Sequence, residues 1–333
     1  MQTRYSPTDY LYACARIRSL EASLVGKEQI RTLLTSATAN DVIAALQEAA
    51  GISLSATEGT PDTEQALLSI LKQGVKTVAA SVPDPAITHL VLFPYDCHNI
   101  KAYLKCSYRG LDPNPLFIDA GSVPTEALIA ALESGDTAAL PQHMAGAIAM
   151  AKEAYAKTAD PREIDFLLDC ALYADLAEAA SGLPFAEALV GARADLTNCI
   201  ICLRVLRGTD PDTAQALFHK SMLPAGTLSE AFFATAFEEG EAAFLAALAK
   251  KTPYGTVMEH AGACTLAEIE KRADDYITAR LQEVKHLPFG AEIPLCYLYA
   301  LEGVVKNLRI LLSGKEAGLD NDTLKARVRE SYV

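Results

Sequence analysis

The 333-residue sequence predicts an all-α protein assembled from three similar helical units. Three observations carry this prediction. Ala, Leu and Glu are abundant, apolar residues return at helical spacing, and the alternation expected of strands is scarce. Pro and Gly gather at intervals, around 83–85, 110–115, 208–211, 224–226, 253–255 and 288–290, where helices must stop. A polar motif centred on asparagine recurs in three otherwise apolar stretches, at Asn99, Asn198 and Asn307.

The helices follow in order. Tyr10 to Leu24 carries Leu11, Cys14, Ile17 and Leu20 at helical spacing, and Thr8 and Asp9 stand where a cap belongs. Asn40 and Asp41 precede the apolar stripe of Val42 to Ala50, which Gly51 is expected to end. Glu163 to Ala180 follows Asp160-Pro161, an acidic cap with proline in the first turn. Leu266 to His286 is long, amphipathic and halted before Pro288. With helices of roughly a dozen residues, about fifteen to twenty fit the chain.

The repeat organises these helices into larger units. Asp96–Lys105 returns as Asp195–Arg204 and again as Lys306–Leu312, with the asparagines 99 and 109 residues apart. A glycine is expected to end each copy, at Gly110, Gly208 and Gly314. A similar helix start then follows, at Val123–Leu128, Leu223–Leu228 and Leu319–Leu324. Tyr173 and Tyr276 echo each other 49 and 52 residues after Pro124 and Pro224. The first helix reads as a worn fourth copy, with Arg16-Ile17-Arg18 matching Asn307-Leu308-Arg309. The domains expected are 1–122, 123–222 and 223–333. A rotation near 120° between units closes a ring or funnel, and a smaller one leaves an open arc; spacing leaves both open.

Composition narrows the function. With 29 Lys+Arg against 42 Asp+Glu, the net charge of −13 disfavours a general nucleic-acid binder and simple docking on anionic lipid. Half the residues are apolar and mean hydropathy is +0.14, yet no window reaches the roughly 18 apolar residues of a membrane span. The polar start, Met1 to Asp9, does not read as a signal peptide. Eight scattered cysteines in apolar runs suit reduced, buried thiols in the cytoplasm.

No constellation of catalytic or metal-binding residues emerges, and no cofactor is expected. Cys199 and Cys202 form a CxxC in mid-helix, which suits packing better than redox chemistry or zinc. Gly26-Lys27 and Gly314-Lys315 lack the rest of a phosphate-binding loop and read as helix C-caps. His89 and His98, near Asp96 and Cys97, lack metal-ligand spacing. The neighbouring pairs Glu238-Glu239 and Asp274-Asp275 diverge by about 100° on a helix and read as solvated faces. The three asparagines, poor helix formers, suggest ties to a neighbouring loop or helix end. A basic line follows the same helices: Arg16, Arg18, Lys101, Lys105, Arg204, Arg207, Lys306 and Arg309. It reads either as intrachain pairing or as a rim meeting acidic partner groups.

Four stretches in register, Tyr10–Glu21, Pro94–Lys105, Lys306–Lys315 and Arg327–Val333, resemble the C subunit of the V/A-type rotary ATPases, a relative of the eukaryotic d subunit. Cys97 and Ile200 depart from the family pattern, standing where an aromatic and a basic residue are expected. The resemblance implies a funnel of three helical domains with pseudo-threefold symmetry and no catalysis. It implies a rotor socket, a monomer within its complex, that binds central-stalk subunits of the D and F types and the membrane proteolipid ring. Such a socket lies on the cytoplasmic face, peripheral to the membrane through the ring, and transmits torque for proton or sodium transport. Arg16, Arg18, Lys101, Lys105, Arg204 and Arg309 become its candidate partner contacts. The residues alone also admit an open repeat scaffold binding peptides on a concave face, or an enzyme using Cys199 and Cys202.

Overall fold

A computed structural model describes residues 5–50 and 63–333. Among them the chain is all-α, with fifteen α-helices, four short 3-10 turns and no strand. The helices are α1 (Leu11–Glu21), α2 (Lys27–Leu34), α3 (Ala39–Ala50), α4 (Thr63–Ala79) and α5 (Ala86–Arg109). Next come α6 (Thr125–Ser134), α7 (Gln142–Thr158), α8 (Arg162–Ala180), α9 (Pro184–Gly208) and α10 (Pro211–Ser221). The last are α11 (Glu230–Glu239), α12 (Glu241–Lys251), α13 (Leu266–Gln282), α14 (Glu292–Glu316) and α15 (Asn321–Arg327).

The chain divides into two compact units. The first joins Met1–Thr88 to Glu270–Val333, and the second is His89–Ile269. In the first, α14 is the central helix, packed by α1, α3 and α4. Every residue from Ile293 to Leu301 is buried, because neighbours cover the helix on all sides. Gly74 lets α4 close on α14, since a Cβ there would overlap the end of Leu301. In the second unit α7 and α8 pair closely, and α8 leads through α9 to α10. Phe218, Phe232, Phe233, Phe237 and Phe244 meet in tilted and edge-on pairs at centroid distances of 4.9 to 5.9 Å, concentrating aromatic burial where α10, α11 and α12 meet.

Several helix ends differ from the sequence expectation, for local reasons. The first helix is preceded by a 3-10 turn, Pro7–Tyr10, and Asp9 takes the Ser6 N–H at 2.9 Å. The start thus lies at Ser6 rather than at Thr8 and Asp9. Thr38, not Asn40-Asp41, caps α3: Asp41 takes the Thr38 N–H at 2.9 Å, while its own N–H donates to Thr38 Oγ1 at 3.2 Å. Gly51 lies outside the described residues. Gly26 begins α2 instead of ending a helix, with its N–H on Gln29 Oε1 at 2.6 Å. Gly314 lies inside α14, pressed against Leu324, and the chain turns at Gly318 with φ +70°. The terminating glycine of the third copy is therefore Gly318. In the second copy, Leu223–Leu228 is loop, and α11 begins at Glu230 behind the Ser229 cap.

Candidate functional site

Three helices of 24 or 25 residues, α5, α9 and α14, carry the asparagine motif. Each asparagine is buried and holds the N–H and C=O of one residue further along the chain. Asn99 accepts the Ile118 N–H at 2.9 Å and donates to its carbonyl at 2.8 Å. Asn198 holds Leu223 in the same way, at 2.8 and 3.0 Å, and Asn307 holds Arg329 at 2.9 and 3.0 Å. A primary amide has one donor edge and one acceptor edge, so it satisfies both groups at once. Each clamp fastens a returning loop to its long helix.

A second set of ties went unnoticed in the sequence. Asp96 and Asp195 each lie three residues before the clamping asparagine, fully buried. Asp96 accepts from Ser122 N (3.0 Å), Ser122 Oγ (2.5 Å) and Val123 N (3.2 Å). Asp195 accepts from Thr227 Oγ1 (2.6 Å), Leu228 N (2.9 Å) and the Tyr254 hydroxyl (2.9 Å). Burial pushes the Asp96 carboxyl up, against the pull of the three donors. The equivalence is thus Ile118–Val123 with Leu223–Leu228, and Val123 matches Leu228 rather than Leu223. Both loops read Ala-Gly followed by a hydroxyl residue, Ser122 or Thr227. The third copy has Val304 where the aspartate would stand and keeps only the asparagine clamp. The N-terminal helix has no clamp of this kind: α1 spans 11 residues, and Arg16 donates to Ser81 Oγ at 3.3 Å.

The basic line is largely engaged within each unit. Lys101 meets Asp169 at 2.6 Å and Lys105 meets Asp165 at 2.5 Å, joining α5 to α8. Arg207 grips Glu241 and donates to the carbonyls of Ala261 and Cys264. Arg309 reaches Glu64 at 2.5 to 2.8 Å. Arg18 pairs with Glu21 and donates to the carbonyls of Val284, Lys285 and Leu287 at 3.0 to 3.2 Å, capping the 3-10 turn Glu283–His286. Arg16 and Arg204 are exposed. Lys315 lies in the last turn of α14, but its ammonium closes the C-terminal end of α2, donating to Leu34 O at 3.0 Å and Ser36 O at 2.5 Å.

Asp274 and Asp275 are not solvated faces. Asp274 takes Lys306 Nζ at 2.5 Å and Arg329 Nε at 3.0 Å, and Asp275 takes the Glu330 N–H at 2.7 Å. Burial alone would raise Asp274, but the two cations more than offset it and hold the carboxyl below its usual range. Its folded value is depressed, so its stabilisation is present above the unfolded value of roughly 3.9 and is lost as pH falls through the folded one. Asp274→Asn should therefore cost roughly 1–2 kcal/mol near neutral pH. In urea melts at a series of pH values, the variant and the parent should converge under acid. A gap that persists there would place the effect elsewhere.

The other candidates resolve into packing and capping. Cys199 and Cys202 are buried in mid-α9. Desolvation raises both thiols, Cys202 to about 12, so neither is a thiolate at neutral pH. His89 stacks on Phe93 and His98 Nε2 lies 2.9 Å from Leu116 O, so the two imidazoles serve different contacts. His143, Asp175 and Glu178 stand together, a grouping that sequence spacing does not reveal. Both Asp175 oxygens there accept backbone N–H groups of His143 and Met144, at 2.8 and 2.9 Å, which caps α7.

The profile of the family described as ATP synthase (C/AC39) subunit matches residues 13–327, which include all three clamping asparagines. The chain belongs to that family. The C/AC39 subunit is an accessory subunit of its ATPase, not a catalytic one. Among characterised relatives, the C subunit of the V-type sodium ATPase of Enterococcus hirae is 26% identical over 259 residues, covering 76% of this chain and 77% of that protein. For this C/AC39 protein the clamps are the shared architecture of three long helices. Among its described residues, no helix is long and apolar enough to cross a membrane.

Proposed function

We propose that this C/AC39 protein is a non-catalytic rotor socket that couples the central stalk of a V/A-type ATPase to the proteolipid ring in the membrane. The observation that carries this reading is the threefold recurrence of a long helix with the same two-bond asparagine clamp. A unit used three times suits a body arranged about an axis, as a rotating part requires. On this reading the domains are 1–122, 123–222 and 223–333, related by pseudo-threefold symmetry into a funnel. The protein lies on the cytoplasmic face, peripheral to the membrane through the ring, with D- and F-type stalk subunits as its other partners. Arg16, Arg18, Lys101, Lys105, Arg204 and Arg309 remain the proposed cationic contacts, with Arg16 and Arg204 the more exposed of them.

The test is recovery of the tagged full chain from detergent-solubilised membranes under conditions that keep the complex intact. Proteolipid ring and stalk subunits should co-purify with it. Recovery of the chain without either would overturn the reading.

A further inference from the structure

Within the second unit, the start of α7 and the end of α8 bring three ligand-bearing side chains together. His143 stands in the first turn of α7, and Asp175 and Glu178 share one face of α8. One ligand atom from each lies within 4.8 Å of the other two. His143 Nε2 and Glu178 Oε2 are 3.3 Å apart. Donors at zinc distances of about 2.0–2.2 Å in a tetrahedron stand about 3.3–3.6 Å from one another, so this pair already spans one edge of that shape.

Asp175 is the fixed member. It is 4% exposed, and the backbone N–H groups of His143 and Met144 hold its two oxygens at 2.8 and 2.9 Å. Each bond takes one lone pair, and a carboxylate oxygen carries two, so the capping of α7 leaves Asp175 able to bind a cation as well. The side chains of His143 and Glu178 are 45% and 59% exposed. Both can rotate onto Asp175, and water can complete the fourth position.

Charge separates this group from the rest of its helix. Earlier on α8, Glu163 meets Lys220, Asp165 meets Lys105 and Asp169 meets Lys101, at 2.5 to 2.7 Å. Among the described residues Asp175 and Glu178 have no lysine or arginine partner and face the His143 imidazole and backbone N–H groups. They lie near the end of α8, where the helix dipole also favours a positive charge.

We infer that His143, Asp175 and Glu178 form a binding site for a divalent metal of the zinc class, which ties the start of α7 to the end of α8. The imidazole selects such a borderline cation over magnesium, which takes oxygen ligands in an octahedron. The site does not depend on the rotor reading.

The purified full chain, stripped of metal with EDTA and dialysed, is titrated with Zn²⁺ in competition with a chromophoric zinc indicator. Wild type is compared with the His143→Ala, Glu178→Gln and His219→Ala variants. His219, whose Nδ1 lies 2.6 Å from Glu230, is the control for an ordinary histidine–carboxylate pair. Both substituted ligands are exposed, and thermal melts without metal verify that each variant folds. Wild type should bind one equivalent of zinc. His143→Ala and Glu178→Gln should each weaken that binding by about a hundredfold, and His219→Ala should leave it unchanged. Zinc should raise the melting midpoint of the wild type and of His219→Ala, but not of the two ligand variants. Excess Mg²⁺ should leave the bound zinc in place. A wild type that takes up no zinc would overturn the inference. So would unchanged zinc affinity in both His143→Ala and Glu178→Gln, which would place the metal elsewhere, on the cysteines for example.

Discussion

Replacing Asn198 by leucine should lower the unfolding free energy by roughly 2–5 kcal/mol. Leucine keeps the same branched skeleton of heavy atoms and is no smaller, so the cost is not a cavity. It comes from the N–H and C=O of Leu223, both buried and both satisfied by the Asn198 amide. Each stranded group costs about 1–3 kcal/mol. Asn198→Asp should fall between parent and leucine variant, because a carboxylate still accepts the Leu223 N–H but faces the Leu223 carbonyl with like charge. Urea unfolding followed by circular dichroism measures the total. Hydrogen exchange at the Leu223 amide localises it, and protection there should collapse in the leucine variant. A change below about 0.5 kcal/mol, with exchange unaltered, would show that the clamp is not the support the geometry indicates.

Gly226→Ala should cost roughly 2–4 kcal/mol. Gly226 is not in the left-handed region, so the effect is one of space. Its added methyl would overlap Asp195 Oδ1, a carboxylate already holding Thr227, Leu228 and the Tyr254 hydroxyl. To make room the carboxylate must abandon buried donors. Gly121→Ala should repeat the effect at Asp96, where the same overlap occurs. Gly146→Ala on α7 is the matched control: open space surrounds that position, so alanine's better helix propensity should add about 0.5–1 kcal/mol. If all three alanines behaved alike in denaturant melts, close approach of loop to carboxylate would not be what limits these positions.

Much of the fold was legible because its signals are local. Helical spacing, proline and glycine punctuation, and the recurrence of Asn99, Asn198 and Asn307 are all visible along the chain. What stayed hidden depends on distance in sequence. The loops return to their clamps 19, 25 and 22 residues later. With such unequal lengths, matching prolines put Val123 against Leu223, when the hydrogen bonds put Ile118 there. The aspartate ties were missed because Val304 removes the third example. Arg309 meets Glu64 across 245 residues and Lys101 meets Asp169 across 68. No spacing rule reveals such partners, so the basic line could not be divided in advance into paired cations and those with neutral contacts. Helix starts slipped by two or three residues where a capping box reached further back than the nearest polar residue, as at Thr38 with Asp41.

The segment Val328–Val333 is tied on many sides: by Asn307, by Asp274 and Asp275, by Gln282, and by the Tyr332 hydroxyl on Glu21 at 2.9 Å. Val333 O also takes the Lys27 N–H at 3.0 Å. This arrangement dictates an order of events on the ribosome. The second unit draws only on His89–Ile269 and can condense as soon as that stretch has emerged. The first unit must wait, its early helices synthesised but lacking α14 and the residues that follow it. At roughly 5–20 residues per second this leaves Ile17, Leu67 and Leu71 without their packing partners for roughly 10–50 seconds. A nascent chain stalled near residue 305, with the second unit clear of the ribosome and α14 still inside it, should therefore carry a protease-resistant centre and a cleavable N-terminal portion.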